Sequence, residues 1–474
     1  MRLRLFALLA SFAAAPSVGT AQTYDVVLRG GRVMDPESGL DAVRNVGILD
    51  GRIAAISEGP LEGADVVDAS GLVVAPGFID LHAHGQDPFS ADLQVRDGVT
   101  TALELEGGVG AVAEWYGERQ GSWRINFGAT ASHGAARFRA MGSRQATVYD
   151  PATPEQVARM QEILGQAITE GALGIGFGIQ YTPGATREEI FRLFQTAAAH
   201  DVANYVHIRY AGLVEPETGI SAVQEMIANA AGADASVHIV HIGSSGLEQV
   251  PVLLEMIEAA QAKGIDVTTE VYPYTAASTN IQAAILDPGW RERLGADYGD
   301  IEWVETGERL DSASFMARRE EGGMIIAHVI PAEEMEYAIA HPAVMIASDG
   351  VGFVNGRAHP RGAGSFARVL GRYVREQGTV GLMDALRKMT LMPARRLEAA
   401  VPDMRRKGRV AVGADADLTL FDPATVMDRA TFAEPAQPSA GIPHVLVNGV
   451  FVVREGDVVE DATPGRPVRR RPVS

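Results

Sequence analysis

Short runs in which apolar and polar residues alternate, broken by Gly, Asp and Pro, open the readable part of the chain in "YDVVLRGGRVMDPESGLDAVRNVGILDGRIAAIS". A two-residue period predicts half-buried strands joined by turns. The same texture returns near the other end in "DADLTLFDPATVM" and "GIPHVLVNGVFVVREGDVV". Between about residues 76 and 400 the pattern changes, and apolar runs alternate with stretches of helical period such as "TPEQVARMQEILGQAITEGA" and "EEIFRLFQTAAAH". Strand–helix alternation of this kind predicts an α/β fold with a parallel sheet. Its length fits a (β/α)8 barrel of the TIM type. Eight candidate strands end in "GFIDLHAH", "TALELE", "INFGATASH", "ALGIGFGI", "ANYVHI", "SVHIVHI", "DVTTEVYPY" and "AVMIASD". A longer stretch before the last of them, 284–325, reads as an inserted segment, and the Pro/Arg-rich 463–474 reads as a disordered tail.

The second strand raises a chemical question. In "TALELEGG" the alternation places Glu104 and Glu106 on one face. On the inside of a barrel two carboxylates need a partner, and a metal ion is the usual one. Other strand ends carry matching types: His82 and His84 two residues apart, His207, His241 and Asp349. Barrel sites form at the C-terminal strand ends, so these residues and Glu106 are expected to converge on one mouth. Imidazoles and carboxylates together suit a divalent transition metal. His238, three residues before His241, is expected on the opposite face, against the helices. His200, His341 and His444 fall outside strand ends and read as core or surface residues.

Composition narrows the chemistry. The chain has 474 residues, 46% of them hydrophobic, enough for a large core. A formal net charge of −19 argues against nucleic acid or an anionic membrane as partner. There is no cysteine, hence no disulfide, thiolate ligand or thiol nucleophile, and Lys263, Lys388 and Lys407 are the only lysines. The first 21 residues, "MRLRLFALLASFAAAPSVGTA", join two arginines, a short apolar run and small residues. That is the pattern of a secretory signal, and it predicts an exported protein, periplasmic or secreted, without a membrane anchor in its mature form.

The motifs "APGFIDLHAHG", "RDGVTTALELEGG", "SHGAAR", "GALGIGFGIQYTPGAT", "YVHIRY", "VYPYTAAST", "SDG", "HPRGAGSF" and "GADADLTLFDP" occur in that order. In them the chain resembles the amidohydrolase superfamily, and within it the N-acyl-D-amino-acid deacylases. The resemblance implies a barrel over 76–399 and a small β-sandwich domain built from 22–75 and 400–462. It implies that His82 and His84 hold one metal position, His207 and His241 a second, and that Asp349 is the catalytic aspartate, also able to touch metal. Related barrels bridge two metals with a carbamylated lysine or a cysteine. This chain has no cysteine, and none of its lysines lies at a strand end. Glu106 is therefore expected as the bridging ligand, with Glu104 behind it. Zn²⁺ is the expected ion, with Mn²⁺ or Co²⁺ also suited to oxygen ligands, and one or two ions fit the ligand count.

His133 in "SHG" is a candidate oxyanion donor or a loop-orienting residue, and Arg209 a candidate anchor for an anionic substrate or half of a salt bridge. By resemblance, Tyr181, Tyr272 and Ser278 hold the acyl and carboxylate groups. Two departures stand out: Gly243 occupies the place of a carboxylate-binding lysine, and Phe177 that of a small hydroxyl residue. The expected activity is metal-dependent hydrolysis of a small-molecule amide, an N-acyl-D-amino acid first, with cyclic-amide hydrolysis or dipeptidase activity next. A catalytically inactive barrel with a binding role is the remaining alternative.

Overall fold

Eight parallel strands ring a common axis: β1 (Phe78–Asp80), β2 (Val99–Val109), β3 (Asn126–Ser132), β4 (Gly174–Gly178), β5 (Ala203–His207), β6 (Val237–Ile239), β7 (Val267–Val271) and β8 (Val344–Ile346). They are the eight strands expected, in the expected order. The structure, a computed structural model, describes residues 23–470, so the proposed signal, 1–21, lies outside the described residues. β8 and β1 share no regular ladder. They are joined by the bridge between Ala83 and Gly350 and by Asp80, which accepts from Ser348 N at 3.0 Å and Ser348 Oγ at 2.5 Å.

The helices between strands start where side-chain caps predict. Thr153 and Gln156 form a capping box ahead of Pro154–Thr169, whose Met160, Leu164, Ala167 and Ile168 are buried at helical spacing. Thr186 caps Arg187–Ala199 with its side chain alone, accepting from Glu189 N. Inside the barrel Ile79, Leu81, Leu103, Leu105, Tyr205 and Met345 form one apolar layer.

β2 departs from simple alternation. Its pairing with β3 jumps from Glu104–Ala129 to Val109–Ala131, so Leu105–Gly108 bulge out of the ladder. Thr130 Oγ1 holds the bulge by donating to Leu105 O at 2.7 Å. Gly108 takes φ +63°, and a Cβ there would sit 2.7 Å from Thr130 Oγ1. On β4, a Cβ at Gly176 would sit 2.4 Å from Glu106 O, so this glycine gives the bulge room to cross the mouth. Leu103 and Leu105 fill the interior, which puts Glu104 on the other face of the strand. The expectation that Glu104 and Glu106 share a face is corrected: the bulge, not the pleat, delivers Glu106.

Both chain ends build a nine-stranded sheet, in which Val73–Pro76 pairs antiparallel with Leu418–Phe421 and so joins the two ends. The inserted segment carries its own four-stranded sheet, Ala277–Asn280, Ile301–Trp303, Glu308–Arg309 and Met324–Ala327, over a core that includes Trp290, Trp303 and Phe315. No helix among the described residues is long and apolar enough to cross a membrane.

The tail expected to be disordered is ordered over residues 463–470. Gly465 N donates to Trp123 O at 2.9 Å, Val468 N to Phe127 O at 2.7 Å, and Tyr116 Oη to Val468 O at 2.8 Å. Val468 is buried in the barrel floor beside Leu103 and Leu173. Its Pro/Arg composition looked solvated, yet one valine and a row of backbone hydrogen bonds are enough to dock it. Burying one valine stabilises by about 1.5–3 kcal/mol. Deleting residues 463–474 is therefore expected to lower the thermal midpoint by a few degrees in calorimetry; an unchanged midpoint contradicts the docking.

Candidate active site

Six side chains converge at the mouth. His82 and His84 follow β1, Glu106 stands on the β2 bulge, His207 ends β5, His241 follows β6 and Asp349 follows β8. Their ligating atoms fall into three groups, each within 4.8 Å: His82–His84–Glu106, His82–His241–Asp349 and Glu106–His207–His241. The placement matches the sequence expectation for all six. Two of them leave regular geometry to get there, His241 at φ +36° and Asp349 at φ +50°. Left-handed backbone is unfavourable for these residues and is held here by its surroundings. Ser348 supplies part of the hold, accepting from Gly350 N at 2.9 Å while donating to Asp80.

The imidazoles are oriented from behind. His82 Nδ1 donates to Glu270 at 2.7 Å and His84 Nδ1 to Glu104 at 2.9 Å. Each ring therefore presents a bare Nε2 lone pair, and the two Nε2 atoms lie 3.0 Å apart. His207 Nε2 donates to Gln180 Oε1 at 2.7 Å, His241 Nδ1 meets Ser245 Oγ at 3.0 Å, and the inward nitrogens of this second pair are again 3.0 Å apart. Glu106 spans the two pairs, with Oε2 3.4 Å from His84 Nε2 and Oε1 3.4 Å from His207 Nδ1. Asp349 Oδ1 lies 3.3 Å from His82 Nε2 and 3.6 Å from His84 Nε2.

Ligands of a tetrahedral ion with bonds of 2.0–2.1 Å stand about 3.3–3.4 Å apart. The separations around His82, His84, Glu106 and Asp349, from 3.0 to 4.0 Å, bracket that edge length. The donor set thus fits a divalent cation, as do its electrostatics. Burial pushes His84 down, but Glu104, Glu106 and Asp349 outweigh it and raise its pKa to about 10, so a proton is drawn where a cation belongs. Burial pushes Glu106 up, and the neighbouring His207, His84 and His82 bring it down to about 2. His241 is driven well below its ordinary value by burial and by the neighbouring His207 and His82, which leaves a neutral ligand.

A cavity of about 250 Å³ opens over the cluster. Tyr181, Tyr272 and Ser278 line it, as expected. The Tyr181 ring packs 4.7 Å from His207, its hydroxyl accepts from Thr279 at 3.3 Å, and Ser278 Oγ donates to Ile325 O at 2.8 Å. Its far wall is apolar and comes largely from the inserted segment: Ile285, Leu286, Leu294, Met324 and Ile325.

Sequence reasoning missed Arg361, which lines the cavity with its guanidinium 4.6 Å from the Tyr272 ring. Its Nη1 lies 2.9 Å from Asp349 Oδ2 without hydrogen-bond alignment, so Nε and Nη1 remain unspent donors, as does the buried Tyr272 hydroxyl. "HPRGAGSF" was visible as a motif, but nothing local distinguished this arginine from the chain's many others.

Two expected residues are elsewhere. His133 opens the helix after β3 and turns away from the mouth, donating to Glu189 at 2.8 Å beside Phe177 and Arg137. It cannot reach an oxyanion, and its expected catalytic role is withdrawn. Arg209 pairs with Glu225 at 2.7 and 2.8 Å and donates to Ala185 O, so its charge is already matched outside the cavity. Phe177 also faces outward, against Phe194, and does not alter the site. A Cβ on Gly243 would meet Met335 Cε at 2.9 Å and Val271 Cγ2 at 3.1 Å, and this glycine is not among the residues that line the cavity.

Residues 73–452 match the amidohydrolase family. The chain is 32% identical to the N-acyl-D-glutamate deacylase of Alcaligenes xylosoxydans xylosoxydans, covering 94% of this chain and 96% of that enzyme. It is 31% identical to the D-aminoacylase of the same organism, covering 93% and 96%. It superposes with a TM-score of 0.82 on the structure of N-acyl-D-glutamate deacylase from Bordetella bronchiseptica complexed with zinc and a phosphonate inhibitor, at 30% identity over 94% of this chain and 100% of that one.

Because Glu106 serves both histidine pairs, its removal weakens both positions. Glu106→Ala is expected to fold and to lose bound metal, measured as ions per chain after gel filtration; unchanged metal content refutes the bridging role.

Proposed function

Since the chain belongs to the amidohydrolase family and hydrolyses carbon–nitrogen bonds of amides other than ordinary peptide bonds, we propose that it deacylates N-acyl-D-amino acids whose side chain is neutral and apolar, with Zn²⁺ held by His82, His84, Glu106, His207, His241 and Asp349. The observation that carries this reading is the set of unspent buried donors, Arg361 and the Tyr272 hydroxyl, beside the ligand cluster. Buried donors left unpaired are costly, and an α-carboxylate satisfies both. Arg361 is the only arginine or lysine among the described residues lining this cavity. A second substrate carboxylate, as in an N-acyl-glutamate, finds no cation against the wall of Ile285, Leu286, Leu294, Met324 and Ile325. The D configuration is supported by the relatives' substrates.

When bound, the ion acidifies a water and polarises the amide carbonyl. The remaining work belongs to the chain. Asp349, its carboxylate held between the histidines and Arg361, accepts the proton of the attacking water and returns it to the departing amine. Tyr181 keeps its proton, since burial and the charge of Glu106 raise its pKa well above the ordinary value. With Thr279 donating to its oxygen, its own O–H is free to donate to the developing oxyanion, the part expected of His133. Arg361 and Tyr272 hold the carboxylate so that the scissile bond lies over the cluster.

We also propose that the protein is exported, from the arginine, apolar and small-residue pattern of residues 1–21. The first residue of the natural protein, read by N-terminal sequencing, is expected within a few positions of Ala21.

The substrate reading is tested by amine release from N-acetyl-D-leucine, N-acetyl-L-leucine and N-acetyl-D-glutamate with zinc-loaded protein. The expected order places D-leucine first, with kcat/KM about 10²-fold above D-glutamate, because the latter buries an unpaired carboxylate. Equal turnover of D-glutamate overturns the neutral-side-chain assignment, and turnover of the L series alone overturns the D assignment. In the same assay Asp349→Asn is expected to lower kcat by about 10²–10⁴-fold with metal still bound; full activity removes Asp349 from the proton transfer.

A further inference from the structure

Beneath the six mouth residues the barrel interior holds a second polar set. Glu270 on β7 is 1% exposed and receives two hydrogen bonds, from His82 Nδ1 at 2.7 Å and from His238 Nε2 at 3.1 Å. His238 is fully buried, and its Nδ1 accepts from Thr268 Oγ1 at 2.8 Å. The sequence expectation that His238 packs against the helices is corrected here. Val237 and Ile239 face the helical layer, so His238 between them points inward, and the left-handed turn at His241 brings that residue to the same side. The result is an unbroken chain across the barrel floor, His82–Glu270–His238–Thr268.

Its apolar neighbours in this interior layer are Ile79, Leu81, Leu103, Leu105, Tyr205 and Met345, while the buried Asp80 accepts from His82 N at 3.1 Å. A carboxylate and an imidazole buried among such neighbours cost free energy that a pair of aliphatic side chains would not. Both are fully used where they stand. The Glu270 carboxylate stands between the two facing ring nitrogens and accepts from both. A carboxylate can only accept, so His238 carries a proton on Nε2, and Thr268 Oγ1 faces its Nδ1. The same carboxylate holds a proton on His82 Nδ1, which turns the Nε2 lone pair toward His84 and Asp349.

The other imidazoles are backed differently. Glu104 behind His84 stands at the rim, where the His84 side chain is 26% exposed, and His207 and His241 rely on the neutral groups of Gln180 and Ser245. We propose that Glu270 and His238 are positioning residues: together they lock the tautomer and ring orientation of His82, so that the ion at the His82–His84 position is held through this buried pair. The proposal rests on the reading of His82 as a metal ligand and does not depend on which amide is hydrolysed.

The test is competition for Co²⁺ or Zn²⁺ between the mature protein and a chelating dye, without substrate. Glu270→Gln is expected to fold and to weaken one bound ion by about 10–100-fold. His238→Ala is expected to weaken it less, and His238→Gln, which can still donate to Glu270, to restore most of the loss. Activity of Glu270→Gln is expected to recover at raised metal concentration with KM for substrate unchanged, which a merely loosened core does not predict. A folded Glu270→Gln that binds metal within twofold of the parent overturns the proposal. Should that variant not fold, His238→Ala with parental affinity overturns it, and a loss that His238→Gln repairs supports it. A parent protein that binds no metal overturns the ligand assignment itself, and this inference with it.

Discussion

Four imidazoles and two carboxylates crowd the barrel mouth with bare lone pairs about 3 Å apart, an arrangement that stays together only around positive charge. Much of the local backbone serves this crowding. Glu106 reaches the centre because Leu105–Gly108 leave the β2 ladder, and they can do so because Gly108 tolerates a left-handed turn and Gly176 presents no side chain to the crossing backbone. His241 and Asp349 accept left-handed conformations themselves. Left-handed backbone at two of the clustered residues themselves marks where packing yields to chemistry.

Different parts of the chain supply different components of the site. The barrel strands bring the ligands, and the insert brings the apolar wall of the cavity. The segment after β8 brings Arg361, which His359 ties to the start of the insert: its Nδ1 accepts from Arg361 N at 3.1 Å and its Nε2 donates to Ala276 O at 3.0 Å. Burial drives His359 well below its ordinary pKa, so it remains neutral and can do both. Wall and anchor are thereby placed relative to each other, and Arg361 also reaches the cluster, with Nη1 2.9 Å from Asp349 Oδ2. This division explains how one metal-binding barrel can accept varied substrates through changes in its loops.

The electrostatics follow a related logic. Each histidine of the cluster is held by a partner on the side away from its neighbours, and those partners grade from buried carboxylate to rim carboxylate to amide and hydroxyl. Such partners fix orientation and raise ligand basicity before any ion arrives. The cost of desolvating them is offset where each is hydrogen-bonded twice, as Glu270 is by His82 and His238 and Glu104 by His84 and Gly107 N.

The barrel was legible from the chain alone, and so was the convergence of six candidate ligands on its mouth, because strand order and the residue types near strand ends follow from the apolar pattern. Legibility failed wherever a residue's meaning lay in its partner. Arg209 and His133 looked available until Glu225 and Glu189, from neighbouring helices, claimed them. Arg361 and Glu270 looked ordinary until folding left one with unspent donors in a cavity and set the other under His82. Counting by twos also misplaced Glu104 and His238, since a bulge and a left-handed residue reset which face comes next. The amino-acid sequence by itself determined the order of the strands and which residue types stand near their ends. Only the tertiary structure decided which charges were already satisfied, because pairing is set by atoms brought close across tens or hundreds of residues.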